Sequence, residues 1–227
     1  MVDAFGQMLL DRAHSEIVER DDGFVSTAML SYFAPFRQWP AVERRALRFA
    51  TGRVLDVGVG AGRVALELQA RGREVVAIDV SRGAVQVARD RGVGDVRLLA
   101  FEDVDALLGR FDSVVMYGNN FGLFASPAKA RRLLRRLRPF ADRIVAASND
   151  PYGTDDPAHV AYHERNRARG RMSGQLRLRV RYRNLIGPWF EYLIVSPAEM
   201  AEIVEGTGWQ ISRLVQDEGA YYVAVLD

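Results

Sequence analysis

Across 227 residues there is no cysteine. Disulfides, thiolate-bound metals and cysteine nucleophiles are therefore excluded. Lysine is nearly absent as well. Lys129 stands alone, so almost all positive charge is carried by arginine, and that bias gives any one arginine little weight as a functional signal. No stretch of eighteen or more apolar residues occurs, so no membrane-spanning helix is expected. The opening MVDAFGQMLLDRAHSEIVER mixes acids and bases along an amphipathic pattern and lacks the form of a secretory signal. There is no internal repeat and no low-complexity segment. A net charge of +2 gives little general attraction to a polyanion. A soluble, cytoplasmic protein without membrane association is the expectation; nothing in the residues speaks to its oligomeric state.

What is present is apolar: 48% of residues are hydrophobic, enough for a sizeable core. Residues 1–50 read as helices. Leu9, Leu10, Ala13, Ile17 and Val18 recur at helical spacing, broken by Asp21-Asp22-Gly23. Ser26 is placed to cap a second helix holding Met29, Leu30 and Phe33. Pro40 suits the first turn of a third. From Arg53 short apolar strands alternate with helices. The strands are Val54–Val57, Glu74–Ile78, Val96–Ala100, Phe111–Tyr117 and Arg143–Ala147. Helices follow Arg63, the cap Ser81, and Pro127. Near-continuous apolar strands between helices indicate a parallel sheet covered on both faces. Ser196 and Pro197 open a last helix, and Gln210–Val215 and Tyr221–Leu226 form an antiparallel hairpin across Asp217-Glu218-Gly219.

The expected fold is α/β. It is a doubly wound, Rossmann-like, mostly parallel seven-stranded sheet with a C-terminal antiparallel hairpin, carried by a single domain. Residues 1–50 form a helical lid, 51–149 the ligand-binding core and 196–227 the terminal helix and hairpin. Residues 150–195 are an insertion read as a helix plus a hairpin split at Gly187-Pro188. It would cap the crevice at the carboxyl edge of the sheet.

The first strand runs into VLDVGVGAGR, with glycines at 58, 60 and 62. A dinucleotide fingerprint would place its third glycine where Arg63 stands. Glycine lets backbone approach a ligand without a Cβ in the way, and the next helix presents its N–H groups and positive end to the same space. Such an end suits a carboxylate. Asp56 at the strand end suits a cation, and Asp79 at the tip of the second strand suits the two hydroxyls of a ribose. An ammonium, a carboxylate and a ribose occur together in S-adenosylmethionine.

VLDVGVGAGR, VVAIDVS, LLAFEDV and FDSVVMYGNNFGLF, in this order, resemble the successive motifs of class I S-adenosylmethionine-dependent methyltransferases. SPAEM, GTGW and YYVAVL resemble that family's last helix and reversed hairpin. The resemblance covers roughly residues 50–149 and 196–226 and implies S-adenosyl-L-methionine as cofactor. It implies that Gly58, Gly60 and Gly62 line the methionine part, with Asp56 near its amine. Asp79 would hold the ribose and Val80 pack on the adenine. Phe101 and Glu102 would lie near the adenine amine. Tyr117, Gly118 and Asn119 would lie beside the sulfonium. The alternative reading of Val80, Phe101 and Tyr117 is as core residues.

The acceptor is less legible. Asn119-Asn120 lacks the two prolines of the signature used on nucleobase or glutamine amino groups, and a plain turn explains it as well. On the insertion, His159 and His163 share a helical face with Tyr162 beside them. They are the candidate general base or substrate grip, with a solvent-facing helix as the alternative. They do not make a metal site, since no third histidine is near. Arg177, Arg179, Arg181 and Arg183 fall on one strand face. They read as a solvated row pairing with acids, or as a grip on an anionic substrate or RNA. Trp189, Phe190 and Tyr192 would give a pocket an aromatic wall or belong to the core. The leading expectation is methyl transfer to oxygen or nitrogen of a small molecule, with nucleic acid disfavoured. An RNA or protein methyltransferase, or a cofactor-binding module without catalysis, are the alternatives.

Overall fold

The computed structural model describes residues 2–13, 15–29 and 31–227. Helix α1 (Ala4–Leu10) leads into strands β1 (Ser15–Arg20) and β2 (Val25–Met29), then α2 (Ala41–Ala46). The alternating part is β3 (Arg53–Val57), α3 (Arg63–Ala70), β4 (Glu74–Asp79), α4 (Arg82–Asp90), β5 (Asp95–Leu98), β6 (Ser113–Met116), α5 (Pro127–Leu137) and β7 (Ile144–Asn149). Helix α6 (Pro157–Ala168) precedes β8 (Gln175–Tyr182), β9 (Leu185–Ile186) and β10 (Phe190–Leu193). Helix α7 (Pro197–Val204), β11 (Ile211–Gln216) and β12 (Tyr221–Leu226) follow.

Seven strands form the main sheet in the order β11-β12-β7-β6-β3-β4-β5. Neighbours from β7 to β5 pair parallel, and β12 joins β7 antiparallel with Tyr221 opposite Asn149. This is the expected doubly wound sheet with its reversed hairpin. Residues buried on both faces explain the continuous apolar strands. One face packs under α5 and α7 through Leu134, Ile203 and Trp209, whose indole N–H donates to the Leu134 carbonyl at 2.9 Å. The other packs under α2, α3 and α4 through Leu47, Leu68 and Val85. Ser81 and Ser196 cap α4 and α7 as their positions in the sequence suggest, the latter in a reciprocal capping box with Glu199. The chain leaves β3 toward β4 on one side and reaches β6 on the other. The gap between the carboxyl ends of β3 and β6 is therefore the crevice where such sheets bind ligands.

The first fifty residues depart from the helical expectation. Helix α1 stops at Leu10, and Ile17 and Val18 belong to a strand. Ser26 lies inside β2 rather than capping a helix, and Asp21-Asp22-Gly23 is the turn of a hairpin. Leu30 falls outside the described residues. The reason is long-range pairing. SEIVER satisfies a period of two as well as one of 3.6, and β8 supplies a strand partner, placing Val18 opposite Val180. Tertiary pairing then overrides a weak local preference. The outcome is a second, antiparallel sheet in the order β10-β8-β1-β2, with β9 on β8. The N-terminal segment and the insertion, separate elements in the sequence, form one cover.

The rim of that cover is pinned to α6 by Arg20, which is 4% exposed. Its guanidinium donates to both oxygens of Asp22 at 2.8 Å, to the Ala158 carbonyl at 3.0 Å and to His159 Nδ1 at 2.9 Å. The Phe24 and Tyr162 rings stack against it. Arg20→Ala is expected to lower stability by about 2–3 kcal/mol, below the fully buried range because Asp22 keeps some solvent and Arg165. In a thermal melt that corresponds to a fall of roughly 4–12 °C. An unchanged melting temperature would show that the hairpin is held without this residue.

Candidate functional site

The crevice is built from three strand tips. After β3 the chain turns through Gly58, Gly60 and Gly62, all at positive φ of 75°, 53° and 81°. A Cβ on Gly58 would sit 2.5 Å from Asn120 Nδ2, and one on Gly62 would sit 2.8 Å from Val93. Space and dihedral together demand glycine there. Helix α3 starts directly afterwards with no side-chain cap. Asp56 is buried just before the turn. Burial pushes its carboxyl up to about 7, against the opposing pull of Arg63 and, less strongly, of the Ala65 backbone in the first turn of α3. Its Oδ2 has no hydrogen-bond partner.

Asp79 closes β4. Its Oδ2 accepts the Gly60 N–H at 3.0 Å and its Oδ1 the Ser81 N–H at 2.9 Å. Burial raises its pKa, and these backbone donors work against that shift. Asp79 therefore braces the glycine turn, a role spacing did not suggest. Beside it Val80 is 72% exposed, a free apolar surface rather than a core residue. At the tip of β6, Gly118 and Asn119 both have φ of 65°. Asn119 Oδ1 is the second buried atom without a partner, while its carbonyl accepts the Tyr192 hydroxyl at 2.6 Å. Asn120 donates to the Val57 and Gly58 carbonyls at 2.8 and 3.1 Å.

The structure thus brings Asp56, the three glycines, Asp79, Val80, Gly118 and Asn119 to the carboxyl ends of the adjacent strands β3, β4 and β6. Phe101 and Tyr117 are core side chains: Phe101 packs edge-on against Phe124, and the Tyr117 hydroxyl donates to the Glu43 carbonyl at 3.1 Å. Glu102 is paired with Lys129. Sequence reasoning missed Tyr32, which leans over Gly60, and Glu16, which accepts the Tyr32 hydroxyl at 3.3 Å. It also missed Glu43. An acid within PAVERRAL has no local mark that separates it from a solvated helix face.

The insertion trio divides. The Tyr162 hydroxyl is held by Asp21 at 2.8 Å, with Arg20 and Arg165 against its ring. This places it in the hairpin lock rather than at the ligand crevice. His159 Nδ1 faces Arg20, which can only donate. That nitrogen accepts, so its ring carries its proton on Nε2 in this arrangement. His163 is buried, and burial together with His159, Arg20 and Arg167 lowers its pKa. His159 and His163 both line a cleft of about 370 Å³ whose walls include Val18, Phe24, Leu176 and Leu178 and whose floor includes Asn149 and Asp150. The cleft lies between the two sheets. Met116, the last residue of β6, pairs with Ala146 of the neighbouring β7, so Asn149 lies three residues beyond the β6 tip, roughly 10 Å further along the strand direction.

The arginine rows are occupied. Arg179 and Arg181 share Glu19, Arg177 and Arg171 share Glu191, and Arg183 pairs with Asp11. Arg131, Arg135 and Arg136 donate to the Glu202, Gly206 and Val104 carbonyls. Trp189 lies beneath Arg179 on the outer face of the cover. Among the described residues no cluster of three or more His, Asp or Glu side chains could hold a metal ion. No helix among them is long and apolar enough to cross a membrane.

An unpartnered buried acceptor costs about 1–3 kcal/mol, so two of them at neighbouring strand tips favour a ligand rich in donors. An ammonium beside Asp56 and Asn119, a ribose at Asp79 and an adenine against Val80 would fit these residues. The comparisons agree. A family model described as a methyltransferase domain matches residues 54–140. The chain is similar, with 26% identity and a TM-score of 0.83, to a Bacteroides fragilis SAM-dependent methyltransferase solved with S-adenosyl-L-homocysteine; the likeness covers 99% of this chain and 94% of that one. It is 40% identical to a magnesium-protoporphyrin O-methyltransferase of Rhodobacter capsulatus over 28% of this chain and 30% of that protein. It is 32% identical to a demethylmenaquinone methyltransferase of Clavibacter sepedonicus over 50% of this chain and 48% of that protein. The chain spans less than half the length of these two curated relatives. With the glycine turn, the two acidic strand tips and the reversed hairpin in place, residues 54–140 carry a methyltransferase domain, and along nearly its whole length the chain has the fold of a SAM-dependent methyltransferase.

Proposed function

We propose that the protein transfers a methyl group from S-adenosylmethionine to an oxygen or nitrogen of a small molecule held in the cleft between the two sheets. The observation that supports this most is the cleft itself. It is a space of about 370 Å³ with largely apolar walls, reaching the carboxyl end of β7, the strand next to β6. When bound, the cofactor supplies a methyl carbon activated by its sulfonium. The task left to the protein is to hold a nucleophile in line with it. Asp56 and Asn119 would receive the ammonium, Asp79 the ribose, and Val80 the adenine. Val18, Phe24, Leu176 and Leu178 would exclude water from the acceptor. His163, neutral at pH 7 because its pKa is lowered, stands ready to take a proton from a hydroxyl or ammonium acceptor.

The curated relatives named above act on small molecules, which fits a cleft of this size. Tracking a nucleic-acid backbone requires free cations, and the arginine rows spend theirs on acids and carbonyls. The test is incubation with methyl-labelled cofactor and fractionated extract. Label is expected in the small-molecule fraction. Label entering RNA or protein instead would overturn the reading. Tight cofactor binding with no labelled product in any fraction would favour a binding module.

A further inference from the structure

Arg63 opens α3 directly after the glycine turn, yet its guanidinium turns away from solvent. It lies over the Trp39 ring, 4.5 Å from the centroid. It also forms a two-pronged pair with Glu43 of α2, Nη1 to Oε2 at 2.7 Å and Nη2 to Oε1 at 3.0 Å. Glu43 is 1% exposed. A carboxylate at that depth is tolerated only when its lone pairs are matched. Here Oε1 also accepts the Gly118 N–H at 3.1 Å and the Tyr221 hydroxyl. One carboxylate of α2 thus collects donors from α3, from the segment after β6 and from β12.

Those donors are not scattered. Arg63 follows the turn that Asp56 precedes, and Gly118 is the residue before Asn119. Asp56 and Asn119 carry the two buried acceptor atoms without partners. Any shift of α3 against the β6 tip would change the gap between them. We propose that Glu43 is a positioning residue for the amino-acid end of the cofactor. By clamping Arg63 and the Gly118 N–H together, it fixes the spacing of Asp56 and Asn119. The inference rests on reading the crevice as the S-adenosylmethionine site.

A second consequence is electrostatic. Asp56 is faced by Arg63 and the Ala65 N–H from α3, by Asp79 from β4, and by Tyr117 from the end of β6. Arg63 is the cation among them, and it favours the ionised carboxylate. Affinity for an ammonium should therefore fall as the pH drops through about 7, where Asp56 takes up its proton. Without the cation that fall should begin at higher pH.

The test is calorimetric binding of S-adenosylhomocysteine, together with thermal melting, for Glu43→Gln, Arg63→Met and the double variant Glu43→Leu/Arg63→Met. Each single variant leaves one buried charge unpaired and is expected to lose melting temperature as well as affinity. The double variant removes both charges and is expected to regain the melting temperature. Its affinity should remain at least tenfold weaker, with the pH midpoint moved upward. A double variant with wild-type affinity and an unchanged pH profile would make the pair a structural brace only and overturn the proposal. Tyr221→Phe covers the case in which the double variant does not fold. It removes one donor from Glu43 while the ion pair stays. A several-fold loss of affinity at near-wild-type melting temperature supports the positioning role, and wild-type affinity overturns it. No binding by the wild-type protein would overturn the cofactor reading along with this one. The acceptor takes no part in any of these measurements, so their outcome is independent of which molecule is methylated.

Discussion

Asp79→Asn is expected to weaken S-adenosylhomocysteine binding by roughly 30- to 1000-fold, about 2–4 kcal/mol. Two losses combine. The charge-assisted acceptance of two ribose hydroxyls disappears. So does part of the brace on the crevice, because both carboxylate oxygens accept backbone N–H groups, from Gly60 and Ser81. An amide offers one accepting oxygen and turns an NH₂ toward the other donor. The variant therefore tests two ideas at once, and a ligand cycle separates them. An analogue lacking the ribose hydroxyls should bind the wild-type protein weakly and lose little further affinity in the variant. If the analogue loses as much as the full ligand, the effect belongs to the turn. If neither loses affinity, Asp79 has no part in ribose binding.

How much of this was legible in the sequence varies with the range of the interactions. The strands from Val54 to Val57 and from Ser113 to Met116 are apolar on both faces because helices cover both, and that signal is local. Ser81 and Ser196 announce helix starts because a cap is a contact three residues long. The glycine turn and Asp79 come at fixed offsets from strand ends. β1 behaves differently. Its residues fit either period, and what makes it a strand is β8, which lies near the other end of the chain. The same distance hides the site's supports. Glu43 sits among exposed arginines of α2 and reveals its burial only when α3, β6 and β12 converge on it. Arg63 entered as the residue where a dinucleotide site would need glycine. Its role is positive: it is the cation between Glu43 and Asp56. The histidine pair was found by helical spacing, which puts residues on one face but does not say what the face meets. Arg20, 139 residues from His159 in sequence, decides that.

The two histidines are expected to separate in one experiment. His163→Ala should lower turnover on the native acceptor by about 100-fold or more if the imidazole takes the proton released in transfer. S-adenosylhomocysteine affinity should stay within a factor of about two, since the cofactor contacts proposed above lie at the sheet tips and not on α6. His159→Ala should act mainly on stability. It takes from Arg20 an accepting nitrogen, and from Phe24 an edge-on aromatic partner with ring centroids 4.8 Å apart. Each such loss is worth about 0.5–1.5 kcal/mol. The pH profile gives an independent reading. His163 is faced by His159, Arg20 and Arg167, and burial and these neighbours all lower its pKa from 6.5. A base must be neutral, so turnover should be level near pH 7 and fall only as the pH drops through that lowered value. Stability follows the same sign. The unfolded chain binds this proton more readily, so the contribution from His163 is present above pH 6.5 and is lost as pH falls toward the folded value. A melt at each pH therefore has to accompany the rates. His163→Ala should lose the acid limb of turnover as well as its height. Full turnover in His163→Ala would remove proton transfer from α6 and leave the acceptor's grip to the apolar walls of the cleft and to Asp150.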